Sequence, residues 1–290
     1  MVIPMNFTFY SRFMKELAAR GADGCAEYAR SLGFSSAEVL QCSLDGAQIA
    51  KTGDAEALRR CFAGHSLSFA CYSVGVNLFR SPAEEERNLM RHAELAAALG
   101  SPFLHHTLCT WLSLPENAPS YDTVISSVTA SAARVAAYAE KLGIRCIYED
   151  QGCYVNGVER FGTFYREVKR LCPSVGVCGD LGNSLFVGTA PKDFISAFAG
   201  DIVHVHVKDY KKLALSADAP VPDGLLGHRL PGDLFLAGVP AGSGESDIPA
   251  CMEILKNAGY RGAFAFEFDY THDFPKDVAD AEILLEKLWN

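Results

Sequence analysis

Short β-rich runs alternate with segments of helical period along nearly all of the 290-residue chain, and this alternation restricts the fold more than any other feature. The runs fall at 6–10, 37–41, 67–74, 103–107, 144–149, 175–180, 202–208 and 262–268. Helices are expected near 22–32, 54–63, 83–99, 121–142, 161–171, 191–199, 246–258 and 276–289. In the fourth of these, Val124, Val128, Ala132, Val135, Ala139 and Leu142 share one side, as they must on a helix that covers a sheet. Gly100, Gly143 and Gly259 are placed to stop helices. Eight β–α units in one unbroken series are the order of an α/β (β/α)8 TIM barrel filling residues 1–290 as a single domain, although a doubly wound open sheet uses the same units. Residues 210–244 interrupt the rhythm with several Pro and Gly and are too long for an ordinary connection, so a loop acting as a lid is expected there.

Side chains alternate across a strand, so His204, His206 and Lys208 in IVHVHVKD share a face, and Val203, Val205 and Val207 share the other. Three ionisable groups would be costly against an apolar helix layer, which assigns them to the barrel lumen. The last run repeats the pattern, with Ala263, Ala265, Glu267 and Asp269 on one face and Phe264, Phe266 and Phe268 on the other. Glu149 and Asp180 likewise end otherwise apolar or small runs. A buried carboxylate needs a pair, hydrogen bonds or a metal. Four such ends at one barrel rim share one explanation: Glu149, Asp180, His206 and Glu267 as ligands of a divalent ion such as Mn²⁺, Co²⁺, Mg²⁺ or Zn²⁺. Taken singly, each could instead be a rim residue in a local hydrogen bond.

Composition excludes other classes. The net charge of −9 and the absence of clustered Lys and Arg argue against a nucleic-acid surface. No stretch approaches the roughly 20 apolar residues of a membrane span, and the N-terminal segment lacks the charged and apolar order of a secretory signal. The ten cysteines, at 25, 42, 61, 71, 109, 146, 153, 172, 178 and 251, form no CxxC pair and read as small buried residues of a cytoplasmic protein. A homo-oligomer is left open.

The motifs NFTFYS, GFSSAEVL, LHHT, CIYED, GVCGDLGN, IVHVHVKD, PAGSGESD and FAFEFD, in this order and spacing, resemble the xylose isomerase-like TIM-barrel superfamily, in its sugar (or sugar phosphate) isomerase/epimerase branch. The resemblance places that family's four metal ligands on Glu149, Asp180, His206 and Glu267 and implies a metal-bound hydroxy-carbonyl sugar, with the two glutamates moving protons on and off carbon. Elementary chemistry is consistent with this. A divalent ion polarises a carbonyl and stabilises the enediolate left when the neighbouring C–H loses its proton. Carboxylates on both sides of that carbon give epimerisation, and return of the proton to the adjacent carbon gives isomerisation. Two departures bear on the reaction. Asn183 stands in DLGN where the 3-epimerase pattern often has His, and an amide binds a hydroxyl but carries no proton. VKDYKKL also lacks the downstream Arg of ketose 3-epimerases and is closer to more general isomerase/epimerase and dehydratase relatives.

Further candidates surround this set. Of His105 and His106, only one can face the lumen, and His106 is favoured as a substrate-binding or acid/base residue over a helix-side position. Trp111 could stack on a sugar or simply anchor its loop. Asn183 and Lys208 are substrate-binding candidates, the latter with a salt bridge as its plain alternative, and His204 reads as a satisfied core histidine. GSGESD could offer backbone N–H groups to phosphate, but it lacks the P-loop Lys and is better explained by a helix cap at Ser246 or Asp247. The competing functions are a lyase or dehydratase acting on a keto-sugar or 3-keto-glycoside, an AP endonuclease-like hydrolase needing more histidines and a basic groove, and a non-catalytic binding subunit.

Overall fold

The computed structural model describes residues 5–41, 43–268 and 270–290, so Cys42 and Asp269 lie outside the described residues. In chain order the first half contains β1 (Asn6–Phe9), α1 (Phe13–Ser31), β2 (Ser36–Gln41), α2 (Thr52–Gly64), β3 (Ser68–Val74), α3 (Pro82–Leu99), β4 (Phe103–His106) and α4 (Tyr121–Lys141). There follow β5 (Arg145–Tyr148), α5 (Gly152–Val155), α6 (Val158–Leu171), β6 (Gly176–Asp180), a 3-10 turn (Asn183–Val187), α7 (Pro191–Phe198) and β7 (Ile202–Val207). The last part is β8 (Asp209–Ala214), β9 (Gly227–Leu230), β10 (Leu234–Val239), α8 (Ile248–Asn257), β11 (Ala263–Phe266) and α9 (Phe274–Trp289).

Strands β1 to β7 and β11 close into a parallel barrel in which β11 returns to pair with β1. All eight expected runs are barrel strands, so the (β/α)8 fold is the observed one and the open sheet is excluded. Helix α1 starts earlier than expected because Phe13 and Leu17 also bury, and it breaks at Gly21, where φ is +69°. Gly100 stops α3 in the left-handed conformation that favours glycine (φ +77°). Helix α4 buries Val128, Ala132, Val135 and Ala139 as its periodicity requires, while Leu142 lies past its end and is exposed.

The two faces of the strands divide the interior. Phe7, Phe9, Val39, Tyr72, Leu104, Val177, Val205, Phe264 and Phe266 belong to the continuous apolar core under the helices. The lumen is polar, with Thr8, Ser36, Glu38, Ser73, His105, Asp180, His204 and His206 all buried. Register carries the alternation across the closure, with Asp180 beside His206 and His206 beside Ala265.

The segment expected as a lid loop is instead largely ordered as a three-stranded antiparallel sheet, in the order β8-β10-β9. Leu230 pairs with Leu234 across Pro231, Gly232 and Asp233, and the last two take positive φ, which lets so short a hairpin close. Pro and Gly here mark turns between strands. The GSGESD loop that follows has a structural anion of its own. Asp209 accepts the backbone N–H groups of Gly242 (3.0 Å) and Gly244 (2.8 Å) at Oδ2, and that of Ser246 (3.0 Å) at Oδ1. An internal carboxylate thus takes the amides considered for phosphate. Asp247 is the N-cap residue of α8 but makes no side-chain cap hydrogen bond, so the expected capping role is not seen.

Candidate metal and active site

His206 is the hub of the lumen. Its Nε2 lies 3.1 Å from Glu38 Oε1, and its Nδ1 lies 3.2 Å from Glu149 Oε2, 3.3 Å from Glu267 Oε2 and 3.8 Å from Asp180 Oδ2. Tyr10 stacks on the ring at 4.8 Å. The strand ends β5, β6, β7 and β11 therefore bring the four sequence-selected residues together. A carboxylate behind one imidazole nitrogen fixes the tautomer and aims the other nitrogen's lone pair. With Glu38 behind Nε2, Nδ1 faces three carboxylates, two of which also contact the Lys208 ammonium.

Asp180 is oriented by its own chain, because Oδ1 accepts from the N–H groups of Gly182 (2.8 Å) and Asn183 (2.7 Å). Its Oδ2 turns to the cluster and has no hydrogen-bond partner among the described residues, although Lys208 Nζ is 3.0 Å away as an ion pair. Glu149, Asp180 and His206 are close enough to share one ion, and Glu267 Oε2 lies beside them, 3.3 Å from His206 Nδ1. The buried Glu149, Asp180 and His206 offer carboxylate oxygens and one imidazole nitrogen, a donor set that fits a divalent metal.

Lys208 is not a free substrate-binding cation. Its Nζ contacts Glu267 Oε1 at 2.8 Å as well as Asp180, as in the salt-bridge alternative. Burial opposes its charge, but Asp180 and Glu267 hold its pKa well above the ordinary lysine value. Burial raises Asp180 to about 6 against the pull of Lys208. Gly182 makes this packing feasible, since a Cβ there would lie 2.7 Å from Lys208 Cγ.

The preference for His106 is corrected. β4 presents His105 to the lumen, where Nε2 is 3.4 Å from Glu149 Oε1 and Nδ1 is 2.9 Å from Ser73 Oγ. His106 points to the helix side, packs edge-on against Tyr148 and bonds the Thr107 carbonyl. Burial drops its pKa to about 4, as suits a neutral core histidine. Trp111 anchors its loop beside Tyr154 at 6.2 Å and does not line the cavity, so the stacking alternative is not seen. His204, fully buried in the lumen, meets Glu38 Oε2 at 2.7 Å through Nε2, so the expectation of a satisfied histidine holds for one nitrogen alone. Its other ring nitrogen has no partner among the described residues.

Several residues were not singled out from the sequence. Glu38 joins His204, His206 and the Ser73 hydroxyl, which donates to it. A ring of contacts therefore runs Glu149, His105, Ser73, Glu38, His206 and back to Glu149. The signal was present in SAEVLQ: alternation groups Glu38 with Ser36 and Leu40, away from Ala37 and Val39, and a carboxylate among apolar residues belongs to the lumen. Above the cluster lies a cavity of about 250 Å³, reached by Glu149, Glu267, Lys208, His105 and Asn183. Asn183 is buried, and its Nδ2 has no partner among the described residues. Phe186, Tyr210, His228 and Tyr270 close part of the wall.

A family model described as xylose isomerase-like TIM barrel matches residues 26–287, and the protein belongs to that family. Similar solved structures cover almost the whole chain at low identity. One is D-allulose 3-epimerase from Methylomonas sp. in complex with D-allulose, with 16% identity, 99% of each chain covered and a TM-score of 0.73. A second is a xylose isomerase-like TIM barrel protein from Mycobacterium smegmatis in complex with magnesium, with 16% identity, 99% of this chain and 96% of that one covered, and a TM-score of 0.71. A third is the probable 3-DHS dehydratase AsbF from Bacillus anthracis, with 13% identity, 99% of each chain covered and a TM-score of 0.68. No curated protein gives a match. Among the described residues no helix is long and apolar enough to cross a membrane, and all nine described cysteines are free.

Proposed function

We propose that the protein is a metal-dependent sugar isomerase or epimerase that moves a proton between carbon and a carboxylate. One observation carries the reading: Glu149 and Glu267 open onto the cavity and also converge, with Asp180, on Nδ1 of His206. Glu149, Asp180, His206 and Glu267 would hold the ion, with Mn²⁺, Co²⁺, Mg²⁺ and Zn²⁺ all suited to the donors. When bound, the ion would polarise a substrate carbonyl and stabilise negative charge on its oxygen.

The chain's own groups supply the rest. Glu149 and Glu267 are the proton carriers, and His105 stands behind Glu149 while Lys208 holds Glu267. Asn183 offers its amide to a substrate hydroxyl. The magnesium and D-allulose complexes of similar proteins support a metal and a sugar at this site. The test is incubation with aldoses and ketoses in deuterated water. Deuterium entering one sugar carbon, and lost in Glu149→Gln, is the expected result, whereas no exchange across a broad panel contradicts the reading and favours a binding subunit.

A second reading is elimination from a keto-sugar or 3-keto-glycoside by the same carboxylates. Asn183, which cannot carry a proton, favours it, and so does the likeness to a probable dehydratase. Release of water or an aglycone, followed by mass spectrometry, separates the two.

A further inference from the structure

A second group of donor atoms lies in the outer helix layer, away from the strand-end carboxylates. The barrel strands run in parallel toward the rim, so α2, which returns from β2 to β3, ends toward the far side. Its buried stripe is Ala55, Leu58 and Phe62, which leaves Cys61 and His65, four positions apart, on the flank. His65 is the C-cap residue, and Ser66 at φ +59° then turns the chain toward β3. The neighbouring helix α1 breaks at Gly21, and Asp23 falls in the first turn after the break. Asp23 Oδ1 lies 2.7 Å from His65 Nε2. One carboxylate oxygen, one thiol sulfur and one imidazole nitrogen, drawn from two helices, thus lie within 4.8 Å of one another.

An ion pair between helices accounts for Asp23 and His65 but not for the thiol beside them. Burial raises the Cys61 thiol above its ordinary range and Asp23 adds to the shift, so the sulfur keeps its proton next to a carboxylate. A divalent ion reverses that balance. The sulfur gives its proton to solvent as the metal–sulfur bond forms, and the carboxylate becomes a second ligand of the same ion. Tetrahedral ligands at zinc distances of about 2.0–2.3 Å sit about 3.3–3.8 Å apart. The three atoms already lie close to that spacing. Their chemistry also discriminates, because thiolate with imidazole selects zinc over magnesium and manganese, which prefer oxygens such as those of Glu149, Asp180 and Glu267. The Asp23 side chain is 77% exposed against 25% for His65, which leaves the fourth position to water on the solvent side.

We propose that Asp23, Cys61 and His65 form a zinc site that ties α1 to α2 on the outside of the barrel, separate from the rim cluster around His206. The test loads the full chain with Mn²⁺ and then titrates it with Co²⁺ as a spectroscopic substitute for zinc. A thiolate-to-cobalt charge-transfer band in the near ultraviolet is expected, and added Zn²⁺ bleaches it. Cys61→Ser, checked for fold by circular dichroism, abolishes the band. Asp23→Asn weakens Co²⁺ binding by at least about 10-fold, since a ligand counts for no less than an outer partner. A second measurement needs no variant: Zn²⁺, but not Mn²⁺, slows alkylation of Cys61 by iodoacetamide, read by peptide mass spectrometry. Absence of the band, a band that survives in folded Cys61→Ser, or equal alkylation of Cys61 with and without Zn²⁺ overturns the proposal. None of these readouts uses turnover, so absence of deuterium exchange would count against the catalytic reading alone.

Discussion

Replacing Glu38 by Gln tests how the metal site is held in place. The carboxylate accepts from Ser73 Oγ and from both His204 Nε2 (2.7 Å) and His206 Nε2 (3.1 Å), and it is fully buried. A glutamine keeps the shape but has one acceptor oxygen and an NH₂ that must face one of these donors. His204 can answer by changing tautomer, because its Nδ1 is otherwise unpartnered among the described residues. Ser73 and His206 share Oε1, so the amide keeps its oxygen there and turns its NH₂ to His204, and His206 loses the negative charge behind its Nε2. Loss of an outer carboxylate of this kind typically costs about 10- to 100-fold in metal affinity, or about 1.4 to 2.7 kcal/mol. Isothermal titration with Mn²⁺ into the metal-stripped protein reads this directly, and circular dichroism confirms the fold. A folded Glu38→Gln variant that binds Mn²⁺ as tightly as the parent would refute the reasoning.

Other outcomes follow from the same geometry. His105→Gln, which removes the partner behind Glu149 Oε1, lowers the rate of deuterium exchange by about 10- to 100-fold, on the scale of a lost outer partner, whereas His106→Gln lowers the melting temperature and leaves exchange within a few fold; the reverse pattern would restore His106 as the functional histidine. Gly244→Ala would put a Cβ 2.3 Å from Asp209 Oδ1 and 2.5 Å from the Tyr210 carbonyl, so it should cost about 1 to 3 kcal/mol in urea denaturation, while Gly64→Ala, with open space around it, is tolerated. Burial raises Glu282 from 4.5 to about 7, with Glu286 adding to the shift. The folded protein therefore holds this proton more tightly than the unfolded chain, so stability is lost as pH rises from about 4.5 through about 7 and the penalty is complete above that. Glu282→Gln should raise stability at about pH 8 by on the order of 1 kcal/mol, after allowance for partial exposure, and change little at about pH 4; an equal gain at both pH values would show that the charge is not the cause.

How far the sequence discloses this arrangement depends on the residue. The barrel strands were legible because period-2 runs and helical periods are local properties, and the β7 and β11 side chains took the faces that alternation assigned to His206 and Glu267. Adjacent His105 and His106 defeat the same rule, since a four-residue strand does not fix its own phase. The pairing of Ser73 with His105 across β3 and β4 does so. Glu38 is harder to read because it lies in mid-strand and not at a strand end, beside a register shift between Ala37 and Glu38. The small sheet was hidden by its turns, and His228 reaches the cavity only through antiparallel pairing with Leu236, a contact between distant segments that no local pattern contains.

β5, β6, β7 and β11 are expected to build one divalent-metal site around His206. Anomalous diffraction at the manganese edge from crystals soaked in Mn²⁺ measures this most directly. The account predicts one strong peak bonded to His206 Nδ1 and to oxygens of Glu149, Asp180 and Glu267; no peak there, or one only at the more exposed cluster of Asp23, Cys61 and His65, would contradict it.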